Sequence, residues 1–166
     1  MSVMPGRNIV LIGMPGAGKS TIGPLLSKLL GMEYADIDDI IKASQGKELR
    51  DIVLDRGFEY FLEIQERIIM SLKLSNHVLA TGGGVVKSPL SMQYLKENGR
   101  VIYLDVDYDT IEQRLAPGRR LARSGGQSLR EVYDERTPLY MEYADIIINC
   151  SGRNAESIVE EIRTKI

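Results

Sequence analysis

The sequence lacks the features of a secreted, membrane or nucleic-acid-binding protein. Its single cysteine, Cys150, cannot form a disulfide within the chain, which favours a reducing compartment. The first apolar run, 9–12, is too short to cross a membrane and does not have the shape of a signal peptide. The 21 basic and 23 acidic residues give a net charge near −2, which offers no electrostatic footprint for duplex nucleic acid or an anionic membrane. We therefore expect a cytoplasmic protein that binds small molecules, with no nucleic acid and no membrane among its partners.

Short apolar runs alternate with amphipathic stretches along the chain. The runs predict strands at about 9–12, 33–37, 77–80, 100–104 and 144–148, and the stretches predict helices at about 21–30, 38–44, 48–54, 58–74, 88–97, 108–115, 128–140 and 154–164. This alternation is typical of an α/β fold with a five-stranded parallel sheet, helices on both faces, and ligands at the carboxyl ends of the strands. With 166 residues in the chain, we predict one domain that spans residues 1–166. Residues 116–127 lack periodicity and are rich in glycine and arginine, and they are interpreted as a mobile loop.

Residues 13–20 match the phosphate-binding loop pattern G-x-x-x-x-G-K-[ST] in full. A strand pattern leads into them and a helix pattern follows, which disfavours the alternative of a plain glycine-rich turn. Backbone N–H groups of such a loop surround phosphate oxygens, Lys19 reaches the terminal phosphates and Ser20 holds a magnesium ion. We therefore predict that the chain binds a nucleoside triphosphate. The loop residues predicted to bind ATP are Gly13, Pro15, Gly16, Ala17, Gly18, Lys19, Ser20 and Thr21.

Two aspartates follow the second predicted strand. Strand alternation would place Asp36 and Asp38 on the same side, toward the mouth that the phosphate loop also faces. One carboxylate can hold a metal-bound water while the other accepts a proton from a substrate hydroxyl. The alternative is helix capping, for which Asp38 or Asp39 is suited whatever the function.

Three consecutive glycines, Gly82, Gly83 and Gly84, follow the third predicted strand. Each costs backbone entropy, about 0.5 to 1 kcal/mol relative to alanine in an ordered site. A close approach between a ligand and the backbone would explain them. A plain turn is the alternative, although it needs only one or two glycines.

Arginines concentrate in and around the aperiodic stretch, at Arg114, Arg119, Arg120, Arg123 and Arg136. A guanidinium that closes over a transferring phosphoryl group stabilises the transition state, and an arginine-bearing lid would do this. A solvated, charged surface loop is the alternative. Nucleic-acid binding is disfavoured because no aromatic residues are interleaved and the chain is acidic overall.

Taken together, these motifs resemble the shikimate kinase family, small P-loop kinases related to the nucleoside monophosphate kinases. The resemblance covers nearly the whole chain and follows an ordered set of residues: 13–20, Asp36-Ile37-Asp38, 80–84, Arg119 and Arg136-Thr137-Pro138-Leu139-Tyr140. It implies that Asp38 contacts the substrate hydroxyls and acts as the base, and that Asp36 contacts magnesium through water. It also implies that glycines 82–84 meet the substrate and that Arg136 binds the substrate carboxylate.

The resemblance assigns two further arginines to the nucleotide. Arg119, in the lid, would contact phosphate, and Arg114 would pack on adenine. The catalytic residues that we predict are therefore Lys19, Asp38 and Arg119. The substrate-binding segment would span about 38–74 and the lid about 116–127.

One motif of the family is altered in this chain. Shikimate kinases carry Phe-Arg-x-x-Glu on the helix after the second strand, where the arginine grips the substrate carboxylate and the glutamate steadies that arginine. This chain has Phe61-Leu62-Glu63-Ile64-Gln65, so Leu62 stands in the place of the arginine and Gln65 in that of the glutamate. A charge-assisted hydrogen bond contributes about 1.5 to 3 kcal/mol, so we expect shikimate binding that is at least ten- to hundredfold weaker.

Helical spacing places Glu59 and Glu66 on the same face as Leu62. Such a face would repel a carboxylate and suit a neutral polyol or an amine-bearing substrate, whereas the retained Arg136 argues for an anionic or polar group on the substrate. The alternative is that this helix presents a core stripe and leaves its glutamates in solvent.

We therefore predict an ATP-dependent kinase that acts on a hydroxyl of a small metabolite, shikimate or a relative. A kinase of a different polyol, sugar acid or amino alcohol is the alternative. A nucleotide-binding regulator without phosphoryl transfer is disfavoured, because the sequence has no N-K-x-D motif and because paired aspartates with a glycine run serve an acceptor site. The expected cofactor is Mg²⁺ with ATP, and the expected oligomeric state is a monomer.

Overall fold

The computed structural model describes residues 7–115 and 126–166. Its strands are β1 (Asn8–Ile12), β2 (Glu33–Asp36), β3 (His77–Ala80), β4 (Gly99–Asp105) and β5 (Ile146–Asn149). Its α-helices are α1 (Lys19–Leu30), α2 (Ile37–Gln45), α3 (Leu49–Arg56), α4 (Phe58–Ser71), α5 (Pro89–Glu97), α6 (Tyr108–Arg114), α7 (Leu129–Tyr143) and α8 (Ala155–Lys165), and a 3-10 turn covers Val85–Lys87. The strands and helices predicted from hydrophobic periodicity are thus confirmed to within a few residues.

The five strands form one parallel sheet, as predicted, and their order is β2-β3-β1-β4-β5. All five residues of β1 are buried, because this central strand has neighbours on both sides and helices on both faces. The chain places β2 and β3 on one side of β1, and β4 and β5 on the other. This reversal opens a crevice at the carboxyl end of β1, where open α/β sheets bind ligands.

Helices cover both faces of the sheet. α1 packs against β1, β2 and β3 and against α8, which also contacts β5. α5 and α7 pack against β4, and α4 packs against α5. The side chains that α1 and α8 bury toward the sheet include Ile22, Leu26, Ile158 and Ile162. The amphipathic stretches of the sequence therefore became the two outer layers of the fold.

The boundary between β2 and α2 differs from the prediction. The sequence predicts a strand as far as residue 37, but β2 ends at Asp36 and α2 begins at Ile37. The Asp36 side chain is the cause, since its Oδ1 accepts a hydrogen bond from the backbone N–H of Asp38 at 2.9 Å and thereby caps α2. The capping residue is Asp36, and not Asp38 or Asp39. Strand alternation therefore does not relate Asp36 to Asp38, because only the first of them lies in the strand.

The segment predicted to bind substrate, 38–74, contains most of α2 and all of α3 and α4, which pack on one another. These three helices connect β2 to β3, so they lie next to the crevice. Of the predicted lid, 116–127, only Gly126 and Gln127 fall within the described residues.

Candidate active site

The loop between β1 and α1 surrounds the Lys19 side chain. Lys19 is 8 % exposed, and its Nζ donates hydrogen bonds to the carbonyl oxygens of Gly13 and, at 2.9 Å, of Met14. Gly18 has a φ of +103°, a left-handed conformation that other residues rarely adopt, and it turns the chain into α1. The N-terminus of α1 and the Lys19 ammonium group therefore lie together, an arrangement that binds phosphate.

A cavity of about 720 Å³ opens at the carboxyl ends of the strands, and residues 15–22 of the loop and α1 line it. The strand order divides this cavity into two halves. Residues that follow β2 and β3 line one half, together with Arg136 of α7, and we call this the β2–β3 half. Residues that follow β4 and β5 line the other, the β4–β5 half. The phosphate loop follows the central strand, so it stands between the two halves of the cavity.

Asp36 and Asp38 both line the β2–β3 half. Oδ1 of Asp38 is buried and has no hydrogen-bond partner among the described residues. Burial, and after it the negative charge of Asp36, raise the pKa of Asp38 to about 6. Burial also raises the pKa of Asp36. A carboxyl group with a raised pKa beside a phosphate site is a candidate general base.

The glycine run lies between Asp38 and Arg136. A Cβ on Gly82 would stand 2.7 Å from Oδ1 of Asp38, and a Cβ on Gly83 would stand 3.3 Å from Nη1 of Arg136. The Cβ on Gly83 would also stand 2.5 Å from Cδ of Pro15 in the phosphate loop. Side chains at these positions would therefore displace the aspartate or the loop, so close packing requires glycine at positions 82 and 83.

Arg136 holds a buried positive charge at this end of the cavity. It is 2 % exposed, and its guanidinium carbon lies 5.8 Å from the centre of the Phe58 ring. Tyr140, one turn further along α7, donates its hydroxyl to the carbonyl oxygen of Gly83 at 2.5 Å and lies 3.8 Å from Sδ of Met14. α7 therefore connects the glycine run to the phosphate loop and presents a cation beside both.

Arginines line the β4–β5 half. Arg114, the last residue of α6, donates from Nη1 to the carbonyl oxygen of Gly16 at 2.8 Å. Arg153 lines the same half and donates to the carbonyl oxygen of Asn149 at 2.8 Å. Cys150 is buried there, and burial raises the pKa of its thiol to about 11, so it is protonated and packed at neutral pH. The Arg114 guanidinium lies beside the phosphate loop and suits the base of a nucleotide, whereas the Arg153 guanidinium is paired with Glu161.

The altered helix motif contributes little to the cavity. Phe61 lines it, whereas Leu62 is half-buried against the core and is not among its lining residues. Gln65 is fully buried, and neither of its amide atoms has a hydrogen-bond partner among the described residues. Glu66 accepts a hydrogen bond from Oγ of Ser88 at 2.6 Å, and Glu59 is exposed. The glutamates expected to share the face of Leu62 therefore do not line the cavity.

The structure brings most of the predicted site residues together. The predicted residues that line the cavity are Pro15, Gly16, Ala17, Gly18, Lys19, Ser20, Thr21, Asp36, Asp38, Gly82, Gly83, Gly84, Arg114 and Arg136. Gly13 lies at the start of the loop, where Lys19 reaches its carbonyl oxygen. Arg119, Arg120 and Arg123 lie outside the described residues. The roles given to these residues stay predictions.

Several residues that the sequence analysis did not single out also line the cavity, among them Lys42, Glu48, Leu49, Arg50 and Arg153. The first four fall in the segment predicted to bind substrate, which was the sequence signal for them. Charged residues on short amphipathic helices usually face solvent, so their type alone does not indicate a site.

A phosphate loop on the central strand, with paired aspartates and a buried arginine beside it, defines a P-loop kinase. The chain belongs to the shikimate kinase family, whose family model, described as shikimate kinase, matches residues 15–166. It is 37% identical over 163 residues to a shikimate kinase of Persephonella marina, covering 96% of this chain and 99% of that protein. It is 36% identical over 163 residues to a shikimate kinase of a Sulfurihydrogenibium species, covering 96% and 98%.

Solved structures of the family superpose on this fold. The shikimate kinase from Acinetobacter baumannii in complex with shikimate matches with a TM-score of 0.87 and 31% identity, over 96% of this chain and 92% of that chain. The shikimate kinase from Aquifex aeolicus matches with a TM-score of 0.80 and 26% identity, over 95% and 94%. A thymidylate kinase from Candida albicans, 12% identical with a TM-score of 0.65, shares the fold. The nucleoside monophosphate kinase-like architecture is thereby confirmed, and the chain is an ATP-dependent kinase.

Proposed function

We propose that the protein transfers the γ-phosphoryl group of ATP to a hydroxyl group of shikimate. The arrangement that supports this proposal best is the glycine run, which has Asp38 against one end and Arg136 against the other, next to the phosphate loop. A substrate lying along the run would present a hydroxyl to a base and an anionic group to a buried cation. Shikimate carries both groups.

In this mechanism Asp38 accepts the proton of the attacking hydroxyl. Its pKa of about 6 makes it a carboxylate at neutral pH and a stronger base than an ordinary aspartate. The hydroxyl oxygen bonds to the γ-phosphorus as the bond from that phosphorus to the β–γ bridging oxygen breaks, and ADP leaves. Lys19 and the loop N–H groups bind the β- and γ-phosphates and stabilise the charge that develops there. Arg119 would add a second cation from the lid, as the family resemblance implies.

We propose Mg²⁺ as the metal that accompanies ATP. Ser20 and Asp36 both line the cavity and offer the hard oxygen ligands that Mg²⁺ prefers. The described residues contain no group of three or more metal-ligating side chains, which suits an ion held mainly by nucleotide phosphates and water. When bound, Mg²⁺ would neutralise charge on the β- and γ-phosphates.

A kinase of a neutral polyol or an amino alcohol is the alternative function. Leu62 and Gln65 favour it, since neither places a charge at the acceptor. The buried Arg136 favours the acidic substrate, because its guanidinium lines the cavity and can donate charge-assisted hydrogen bonds to a carboxylate. The charge in the cavity therefore supports shikimate over the neutral acceptors.

Product analysis tests the proposed function. The purified protein is incubated with Mg-ATP and, separately, shikimate, gluconate, myo-inositol or ethanolamine, and each acceptor is examined by mass spectrometry for the addition of one phosphoryl group. We expect the addition on shikimate, and its loss in Asp38→Asn. Phosphorylation of myo-inositol or ethanolamine with none on shikimate would replace the proposed substrate with the alternative.

We also propose that the protein acts as a monomer in the cytoplasm. The monomer proposal rests on a cavity lined by elements of one chain, from the phosphate loop to α7. The cytoplasmic proposal rests on the single buried cysteine, which suits a reducing compartment. Among the described ranges, no helix combines the length and the apolar character needed to cross a membrane.

A further inference from the structure

Arg50 places a second cation in the β2–β3 half of the cavity. It is the second residue of α3, a helix that packs on α4 beside the acceptor site, and it lines the cavity together with Leu49. Its Nε lies 4.0 Å from Oδ1 of Asp51, at the limit of an ion pair, and its side chain is 64% exposed. So weak and exposed a contact leaves the guanidinium able to bind another carboxylate.

The other cations of this half have closer partners. Nζ of Lys42 lies 3.8 Å from Oδ1 of Asp39 and 3.6 Å from Oε2 of Glu48, and both of these acids line the cavity. An anion that displaced Lys42 from them would meet two carboxylates. Arg136 is buried on α7, where it contacts the glycine run. Arg50 differs from Lys42 among the described residues, because its carboxylate partner, Asp51, does not line the cavity.

We propose that Arg50 is a specificity-determining residue that binds the carboxylate of the acceptor together with Arg136. This inference rests on the proposed function, because it requires an acidic acceptor. One guanidinium comes from α7 and the other from α3, so the carboxylate is bound by two elements of the fold. The planar guanidinium of arginine matches a carboxylate with two parallel hydrogen bonds, which a lysine in this place would not make.

The placement of the altered motif agrees with this role. Leu62 is half-buried outside the cavity lining, and Gln65 is fully buried, so neither residue offers a charge to the acceptor. Among the described residues, the other lining cations of this half are Arg136 and Lys42, and Lys42 already lies beside Asp39 and Glu48. α3, and not α4, therefore supplies the second charge.

The test is the effect of Arg50→Ala on shikimate and on its methyl ester, which has the same hydroxyls and no negative charge. We expect the KM for shikimate to rise about ten- to hundredfold in Arg50→Ala, the loss of one charge-assisted contact. The KM for ATP and the affinity for the methyl ester, measured by competition with shikimate, should change less than about twofold. Arg50→Lys should fall between wild type and Arg50→Ala, because it keeps the charge and loses the paired hydrogen bonds.

Arg56→Ala is the matched control. Arg56 ends the same helix and its guanidinium carbon lies 4.3 Å from the centre of the Tyr60 ring, but it does not line the cavity. Its removal should leave the KM for shikimate unchanged. An unchanged KM for shikimate in Arg50→Ala, or an equal loss of affinity for shikimate and for the ester, would overturn the role of Arg50. The proposed function would still stand in that case, provided that the wild-type protein phosphorylates shikimate. A wild-type protein that binds ATP but does not turn over shikimate would overturn both.

Discussion

Gly82 lies against the carboxylate of Asp38, so close that a Cβ at position 82 would stand 2.7 Å from Oδ1. This is shorter than a carbon–oxygen contact allows, and Oδ1 is already buried. The carboxylate of Asp38 therefore occupies the space that a side chain at position 82 would fill. The position of the proposed base depends on a glycine in another element of the fold.

Gly82→Ala should therefore displace Asp38 from its reacting position. A misplacement of this kind lowers kcat by about a hundredfold, whereas ATP binding depends on the phosphate loop and should be kept. Steady-state kinetics with both substrates and ATP titration by calorimetry measure the two effects. A kcat within about threefold of wild type would show that Asp38 does not need the space at Gly82.

The activity should fall at acid pH with a midpoint near 6. Burial and Asp36 raise the pKa of Asp38 to about 6, and the base acts when deprotonated, so the rate is retained above this pH and lost as the pH falls through it. Asp36→Asn keeps a capping oxygen for α2 but removes the negative charge, so the pKa of Asp38 should fall. Carboxyl-carbon NMR titration of Asp38 in both proteins checks this. A pKa of Asp38 that stays the same in Asp36→Asn would contradict the account.

Asp38 should cost the protein stability at neutral pH. Its pKa in the folded protein is about 6, above its ordinary value of 3.8, so the folded state binds the proton more tightly and loses stability as the pH rises through 6. The difference corresponds to about 3 kcal/mol at pH 8. Asp38→Asn should therefore raise the free energy of unfolding by up to this amount at pH 8 and have little effect below about pH 4.

Urea unfolding of wild type and Asp38→Asn at both pH values measures this difference. Asp39→Asn is the control, because Asp39 is exposed and near the same helix end. A destabilised Asp38→Asn at pH 8 would mean that Asp38 is held by favourable contacts, and the buried-base account would fail.

Tyr140 should support both the glycine run and the phosphate loop. Its hydroxyl is fully buried and donates to the carbonyl oxygen of Gly83. Tyr140→Phe leaves that oxygen without its donor, so the free energy of unfolding should fall by about 1 to 3 kcal/mol. Thermal unfolding measures the loss, and Tyr143→Phe, on the half-buried end of α7, serves as the control. Equal melting temperatures for wild type and Tyr140→Phe would show that this hydrogen bond does not stabilise the folded protein.

Leu62→Arg should strengthen shikimate binding. Leu62 follows Phe61, which lines the cavity, and an arginine there would add the carboxylate contact that the family resemblance implies. We expect the KM for shikimate to fall about tenfold, by the free energy of one charge-assisted hydrogen bond. Leu62→Gln, which is polar and uncharged, controls for the loss of leucine. If Leu62→Arg folds and its KM for shikimate matches wild type, the altered motif does not limit substrate binding.

The fold could be predicted because its signals are local. Five apolar runs separated by amphipathic helices give a parallel sheet, and the pattern of residues 13–20 gives its own loop conformation. The end of β2 could not be predicted, because a capping hydrogen bond from Asp36 decided it against strand propensity. Local pattern thus located the elements, and one side chain set the boundary.

The site residues that could be predicted from the sequence are those that fall within motifs. Lys19, Asp38 and Arg136 fall in motifs, and the structure places all three around one cavity. Arg50 and Lys42 carry no motif, and their position depends on how α2 and α3 pack beside the sheet. The face expected for Glu59 and Glu66 was derived from helix spacing alone, which does not show toward which neighbour a face turns.

Phosphoryl transfer to shikimate is measured most directly as ADP release from Mg-ATP by the purified protein, in a coupled assay with and without shikimate. We expect saturable stimulation by shikimate, and we expect Asp38→Asn to abolish it. Intact ATP binding with no stimulation at millimolar shikimate would contradict this expectation, and the acceptor would then lie among neutral polyols and amino alcohols.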